Sequence, residues 1–176
     1  MRAFVAVAML GMAGAASGCG YALAGRGSSL PSYIKTVAIP PLENRTNVSR
    51  LETILTDRIR TEFIGRNRQY KVVTEETGAQ AVLRAELIGF STQTAGLNAQ
   101  QLSNRLLVTI VVKASFIDLR ENKVLWSNDA LTFRDEYQFA AAGVSAATLI
   151  DQERSTVDRI ATDAARTVVT AILEAF

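Results

Sequence analysis

The sequence predicts an α/β domain, an α+β sandwich with two helices on one face of a four- to five-stranded mixed sheet, in the order β-α-β-β-β-α. Three observations lead there. Leu83, Ala85 and Leu87 alternate with Arg84 and Glu86. A longer run, Arg105 to Asp118, puts Leu106, Val108, Ile110, Val112, Ala114 and Phe116 on one side, against Thr109, Val111, Lys113, Ser115 and Ile117. Such period-two alternation marks strands with one wet face. Two other stretches, 51–63 and 149–176, repeat apolar residues at helical spacing.

The first element is not part of that domain. Met1-Arg2 supplies one positive charge, and an apolar run from Ala3 to Ala16 leads to Ser17, Gly18 and Cys19. A basic start, an apolar stretch and small residues before a cleavage point describe a signal peptide, residues 1–18. The run is shorter than the about 20 apolar residues that a spanning helix needs. Cys19 is the only cysteine, and the Ala16-Ser17-Gly18-Cys19 ending resembles the bacterial lipobox, with Ala16 where Leu is usual. In that pattern the cysteine is acylated and becomes the first mature residue. Two or more acyl chains, at about 0.8 kcal/mol per buried methylene, make a stable anchor. Cys19 is therefore the expected lipid anchor, and the mature chain is tethered to a membrane.

Residues 19–33 are rich in Gly and Ser and read as a flexible leader. The single domain is expected over 34–176. The whole chain has 19 basic residues, one of them in the signal peptide, against 17 acidic ones. A near-neutral body has no global field to attract nucleic acid, and no nucleic-acid partner is expected. The chain has no histidine. That removes Ser-His and Cys-His nucleophile pairs, imidazole acid–base chemistry and His-ligated zinc. No cofactor or metal is called for.

Ile34 to Pro40 is the first strand, stopped by Pro40-Pro41, which cannot donate to a ladder. Leu42 to Asn47 reads as a polar connection. Ser49 and Glu52 have capping-box spacing, with Asn47 an alternative cap, and open a helix whose stripe is Leu51, Ile54, Leu55, Ile59 and Phe63. Gly65 is its expected stop. Tyr70 to Thr74 and Ala81 to Thr92 are the next strands. Ser91 to Asn104 is an uncharged fourteen-residue tip before the strand Arg105–Asp118. Asn122 suits a left-handed turn position. Val124 to Phe139 returns as one long or broken strand, with Ser127-Asn128-Asp129 its expected bulge. The last helix, from about Leu149 to Phe176, turns Val157, Ile160, Ala161, Ala164, Val168 and Ile172 inward.

Read in order, these residues resemble the LptE family. Cys19-Gly20-Tyr21, Gly25-Arg26-Gly27, Leu30-Pro31 and Ile39-Pro40 with Glu43-Asn44-Arg45-Thr46 carry the likeness at the N-terminal end. Lys123-Val124-Leu125-Trp126, Phe133-Arg134-Asp135-Glu136-Tyr137 and Ala171-Ile172-Leu173-Glu174 carry it further on. The resemblance implies a lipoprotein on the periplasmic face of the outer membrane. It would plug an LptD-type β-barrel, support that barrel's assembly, and take part in placing lipopolysaccharide in the outer leaflet. Gly20 is not the Asp that signals inner-membrane retention.

The competing class is a periplasmic accessory lipoprotein, regulating a cell-wall synthase or forming part of a secretion channel. An enzyme is not expected. Of the carboxylate pairs Glu75-Glu76 and Asp135-Glu136, the second would point to opposite faces of a strand. For a lipopolysaccharide phosphate, the candidate cations are Arg84, Arg105, Lys113 and Arg134, all in expected strands. Arg105 and Lys113 share a face but lie about 26 Å apart at roughly 3.3 Å per residue, so one phosphate cannot bridge them.

Overall fold

The computed structural model describes residues 30–66, 69–94, 105–138 and 146–175. Its elements run β1 (Thr36–Ala38), β2 (Glu43–Asn44), α1 (Leu51–Arg66), β3 (Lys71–Val73), β4 (Ala81–Thr94), β5 (Arg105–Asp118), β6 (Lys123–Gln138) and α2 (Ala146–Leu173). The sheet has six strands in the order β3-β1-β4-β5-β6, with β2 also paired to β4. β1 runs parallel to β3 and β4, while β4, β5 and β6 form an antiparallel meander. The expected class, two helices on a mixed sheet, holds.

One expected connection is a strand. Pro40 and Pro41 end β1, but the Ile39 N–H still donates to the Val73 carbonyl at 2.8 Å. The chain then resumes pairing as β2, Glu43 and Asn44 lying beside Glu86 and Leu87 of β4. β4 is much longer than β1, so its upper backbone groups need a second partner. A two-residue strand has no room to show alternation, which hid it in the sequence. The helix fixes this kink. The Arg60 guanidinium donates to the Ile39 carbonyl at 2.9 and 2.6 Å, and the Leu42 N–H donates to the buried Thr56 Oγ1 at 3.0 Å.

The start of α1 also differs from expectation. The Ile54 N–H reaches the Arg50 carbonyl at 3.2 Å, so Arg50 takes the cap position, with φ 72°. Glu52 is not reciprocating Ser49. Its carboxylate accepts from Asn44 Nδ2 at 2.7 Å, and the same amide donates to the Val48 carbonyl at 2.8 Å. Asn44 thus ties the loop to the helix, displacing both Ser49 and Asn47 from the capping role. α1 ends at Arg66, one residue beyond the expected stop at Gly65.

One apolar core joins the layers. α1 contributes Leu51, Leu55, Ile59 and Phe63; α2 contributes Ile160, Ala161, Ala164, Val168 and Ile172; the sheet adds Leu83, Leu87, Ile110, Val112 and Phe116. Outside it, Arg58 Nε donates to Asp158 at 2.9 Å between the helices, and Arg159 Nε to Asp135 at 2.8 Å from α2 to β6. β6 is continuous, with register shifts opposite Val112/Ala114 and Phe116/Ile117; the first falls near the expected bulge. Asn122 is left-handed, φ 50°, as expected.

Leu30, within the stretch read as leader, is buried in the core. Next to it, the Tyr33 hydroxyl donates to Asp118, a buried carboxylate at the end of β5. Asp118 also accepts from the Arg120 N–H at 2.7 Å, and the Arg120 guanidinium sits 4.8 Å over the Tyr33 ring. Burial pushes the Asp118 pKa up, but the Tyr33 hydroxyl, the turn N–H groups and the Arg120 charge outweigh it and hold the pKa below the usual value. Chiefly through that hydrogen bond, Tyr33 is pushed up to about 12.

The pair has opposite pH signatures. A depressed Asp118 pKa stabilises the fold above the ordinary carboxylate range, and this stability is lost as pH falls through the folded value. A raised Tyr33 pKa stabilises it below about pH 10, with loss as pH rises through the folded value. Melting temperature followed against pH is expected to fall less steeply at both extremes in Tyr33→Phe than in the parent. Parallel curves for the two proteins would show that the bond carries no linkage.

Candidate functional site

The helices cover one face of the sheet; no described element covers the other, the open face. On β5 the odd-numbered residues from Arg105 to Ile117 point to this open face, since the even-numbered Val108, Ile110, Val112, Ala114 and Phe116 are buried in the core. Across β4 and β6 the register sets Arg84 opposite Ser115, Glu86 opposite Lys113, Arg134 opposite Thr109 and Glu136 opposite Leu107. All four candidate cations therefore share one face. Their spread is uneven. Arg84 is a diagonal neighbour of Lys113, a separation of about 7–8 Å between strand backbones. Arg134 lies midway between Lys113 and Arg105, about 13 Å along the strand from each.

Carboxylates hold three of the four. Arg84 makes a forked contact with Glu76, Nε to Oε1 at 2.9 Å and Nη2 to Oε2 at 2.8 Å. The contact holds Glu76 below the usual carboxylate range and raises Arg84. Lys113 Nζ is 3.4 Å from Asp129, and Arg105 Nη1 is 3.6 Å from Glu136. Arg134 has no ion pair among the described residues. Each held cation is about half exposed, so its pair contributes about 0–1 kcal/mol and an incoming phosphate can compete for it.

The face is not wholly polar. Val111 and Ile117 are half-buried on it. At the end of the sheet nearest the β5–β6 turn Val124 is 55% exposed, and Ile88, the extra residue of a β4 bulge, is 38% exposed. Gly89 completes that bulge. A Cβ there would meet Val111 at 3.2 Å, so glycine lets β4 stay close to β5.

Three of the four carboxylates in the sequence's two pairs, Glu76, Asp135 and Glu136, are held by arginines. Asp135 turns to Arg159 on the helical side and Glu136 to Arg105 on the open side, the opposite faces expected of strand neighbours. Glu76 is held by Arg84. Cys19 lies outside the described residues, as does most of the uncharged tip; its first part, Ser91 to Thr94, continues β4 instead of forming a loop. No described helix is long and apolar enough to cross a membrane.

Sequence reasoning missed a second feature, on the helical layer. Val48, Leu51, Ile54 and Val157 floor a groove of about 690 Å³ between the start of α1 and α2, with Arg50, Arg154 and Asp158 among its lining residues. It joins residues about a hundred positions apart, so no local spacing announces it.

A family profile, LptE, described as lipopolysaccharide-assembly, matches residues 34–172. The chain belongs to the LptE family. The match spans the sheet and both helices, and the family is one of assembly lipoproteins, not enzymes. No curated protein sequence matches the chain. Among solved structures, this LptE-family chain is similar to the uncharacterized lipoprotein B of Nitrosomonas europaea, at 15% identity and TM-score 0.56, over 84% of this chain and 90% of that one. It is also similar to the hypothetical protein CT253 of Chlamydia trachomatis, at 13% identity and TM-score 0.52, over 78% and 97% of the two chains. At such identities the likeness concerns the fold alone.

Proposed function

We propose that the chain is an outer-membrane lipoprotein that plugs an LptD-type β-barrel, supports its assembly and takes part in lipopolysaccharide transport to the outer leaflet. Acylated Cys19 tethers it on the periplasmic face. The observation that carries this reading is the LptE-family match over residues 34–172, joined to a single cysteine placed directly after Ala16-Ser17-Gly18. The open sheet face supports it further. A neutral body with a broad face of exposed, weakly paired charges suits a polar barrel lumen. On that face Arg84, Arg105, Lys113 and Arg134 are the groups that meet lipopolysaccharide phosphates, Arg134 with no carboxylate to displace among the described residues.

The test is affinity purification from detergent-extracted membranes, with three forms compared. The parent is expected to bring down a β-barrel and lipopolysaccharide. Cys19→Ala is expected to leave the membrane fraction or stay unprocessed, and to incorporate no labelled palmitate. The folded quadruple variant Arg84→Gln/Arg105→Gln/Lys113→Gln/Arg134→Gln is expected to keep the barrel and lose lipopolysaccharide. A synthase or secretion channel in place of the barrel overturns the reading. Full lipopolysaccharide recovery by the quadruple variant overturns the contact residues alone.

A further inference from the structure

We propose that the groove between the helices is a binding site for a phosphate-bearing acyl lipid, with Arg50 and Arg154 gripping the phosphate. The groove lies on the helical layer, away from the open sheet face, so the inference does not depend on the four cations discussed above. Its size, about 690 Å³, is that of a small-molecule pocket. Its floor is aliphatic: Val48, Leu51, Ile54 and Val157. Such a surface beside solvent gains by covering itself with an acyl chain.

Charge decides the headgroup. Arg50 and Arg154 line the groove, and neither guanidinium has an ion pair or hydrogen-bond partner among the described residues. The carboxylate in the wall, Asp158, is already engaged by Arg58 through Nε at 2.9 Å. Among the described residues the lining therefore carries two unpaired guanidinium groups beside an apolar floor. Guanidinium groups bind phosphate through paired, charge-assisted N–H···O bonds. A ligand that satisfies both parts is anionic at one end and apolar at the other. A free anion would leave the floor uncovered, and a neutral lipid would leave the arginines unmatched.

Arg50 also permits a test that misfolding cannot mimic. Its φ of 72° is a left-handed conformation that disfavours arginine and suits glycine. Arg50→Gly is therefore expected to raise the melting temperature while weakening the lipid.

The experiment is calorimetric titration of the purified chain with dodecyl phosphate below its micelle threshold, with dodecyl maltoside and inorganic phosphate as controls. Dodecyl phosphate is expected to bind and both controls to bind far more weakly. Arg50→Gly and Arg154→Gln are each expected to weaken it by about tenfold, as loss of a hydrogen bond to a charged group does. Ser49→Trp, which adds bulk to the groove lining, should weaken it similarly. Lipid A and phosphatidylglycerol, each in neutral micelles, are then used to displace the probe. Displacement by either supports the site and names its source; displacement by neither overturns it. Equal binding of a control, or unchanged binding by both arginine variants, also overturns it.

Discussion

Ile110→Asp is expected to unfold the domain at ordinary temperature, with a loss of about 4 kcal/mol or more. Ile110 is 1% exposed at the centre of β5, flanked by Phe90 on β4 and Phe133 on β6. Burying its side chain contributes about 1.5–3 kcal/mol, all of which the substitution removes. The new carboxylate would have aromatic neighbours on both sides, and the Arg159 guanidinium on the same side of the sheet is already held by Asp135. The new group must remain desolvated or pull the strand open. The neighbouring change gives the control. Thr109 sits on the open face between Ser91 and Arg134, the cation that has no ion pair among the described residues. Thr109→Asp places a carboxylate opposite it, and a cross-strand pair of this kind contributes roughly 0.2–1 kcal/mol. Urea denaturation of the two variants should separate them widely. Equal losses would mean that both faces are buried and that the open face is not open.

That contrast was legible because β5 alternates without a break over its length. The same parity correctly put Arg105 and Lys113 on one face, and Asp135 and Glu136 on opposite ones. Parity could not say which cations meet across strands. That depends on register, and register is reset by the bulges near Gly89 and between Asn128 and Leu131. Nor could spacing reveal that Glu76, Asp129 and Glu136 hold three of them, since each pair spans a turn or a strand crossing.

At the start of α1 a local signal was present and lost. Ser49 and Glu52 fit a capping box, but Asn44, held against β4 by the second strand, took the Glu52 carboxylate first. Tyr33 and Asp118 are the extreme case, 85 residues apart and joined only by the closing of the sheet. The sequence signals that failed were those that tertiary contacts could outbid; the periodic ones were reinforced by the core.

The helical half of that core is tested by Phe63→Ala, with an expected loss of about 3–5 kcal/mol. Leu51, Leu55, Ile59 and Phe63 recur every four residues along α1, all of them buried. Phe63 is fully buried at the foot of this stripe, its ring 5.9 Å from that of Tyr70 and tilted by 58°. Truncation removes the aromatic pair and leaves a void that backbone on both sides is too fixed to close. Since α1 follows β1 and leads into β3, the loss is also felt in the parallel edge of the sheet. Phe63→Leu keeps most of the volume and should lose under about 1.5 kcal/mol. Ile64, next along the helix but 51% exposed, gives a change within about 0.5 kcal/mol on substitution by Ala. Denaturant midpoints for the three variants should therefore rank Ile64→Ala nearest the parent, then Phe63→Leu, then Phe63→Ala. If Ile64→Ala proved the more damaging of the two alanine variants, α1 would have to present its other face to the sheet.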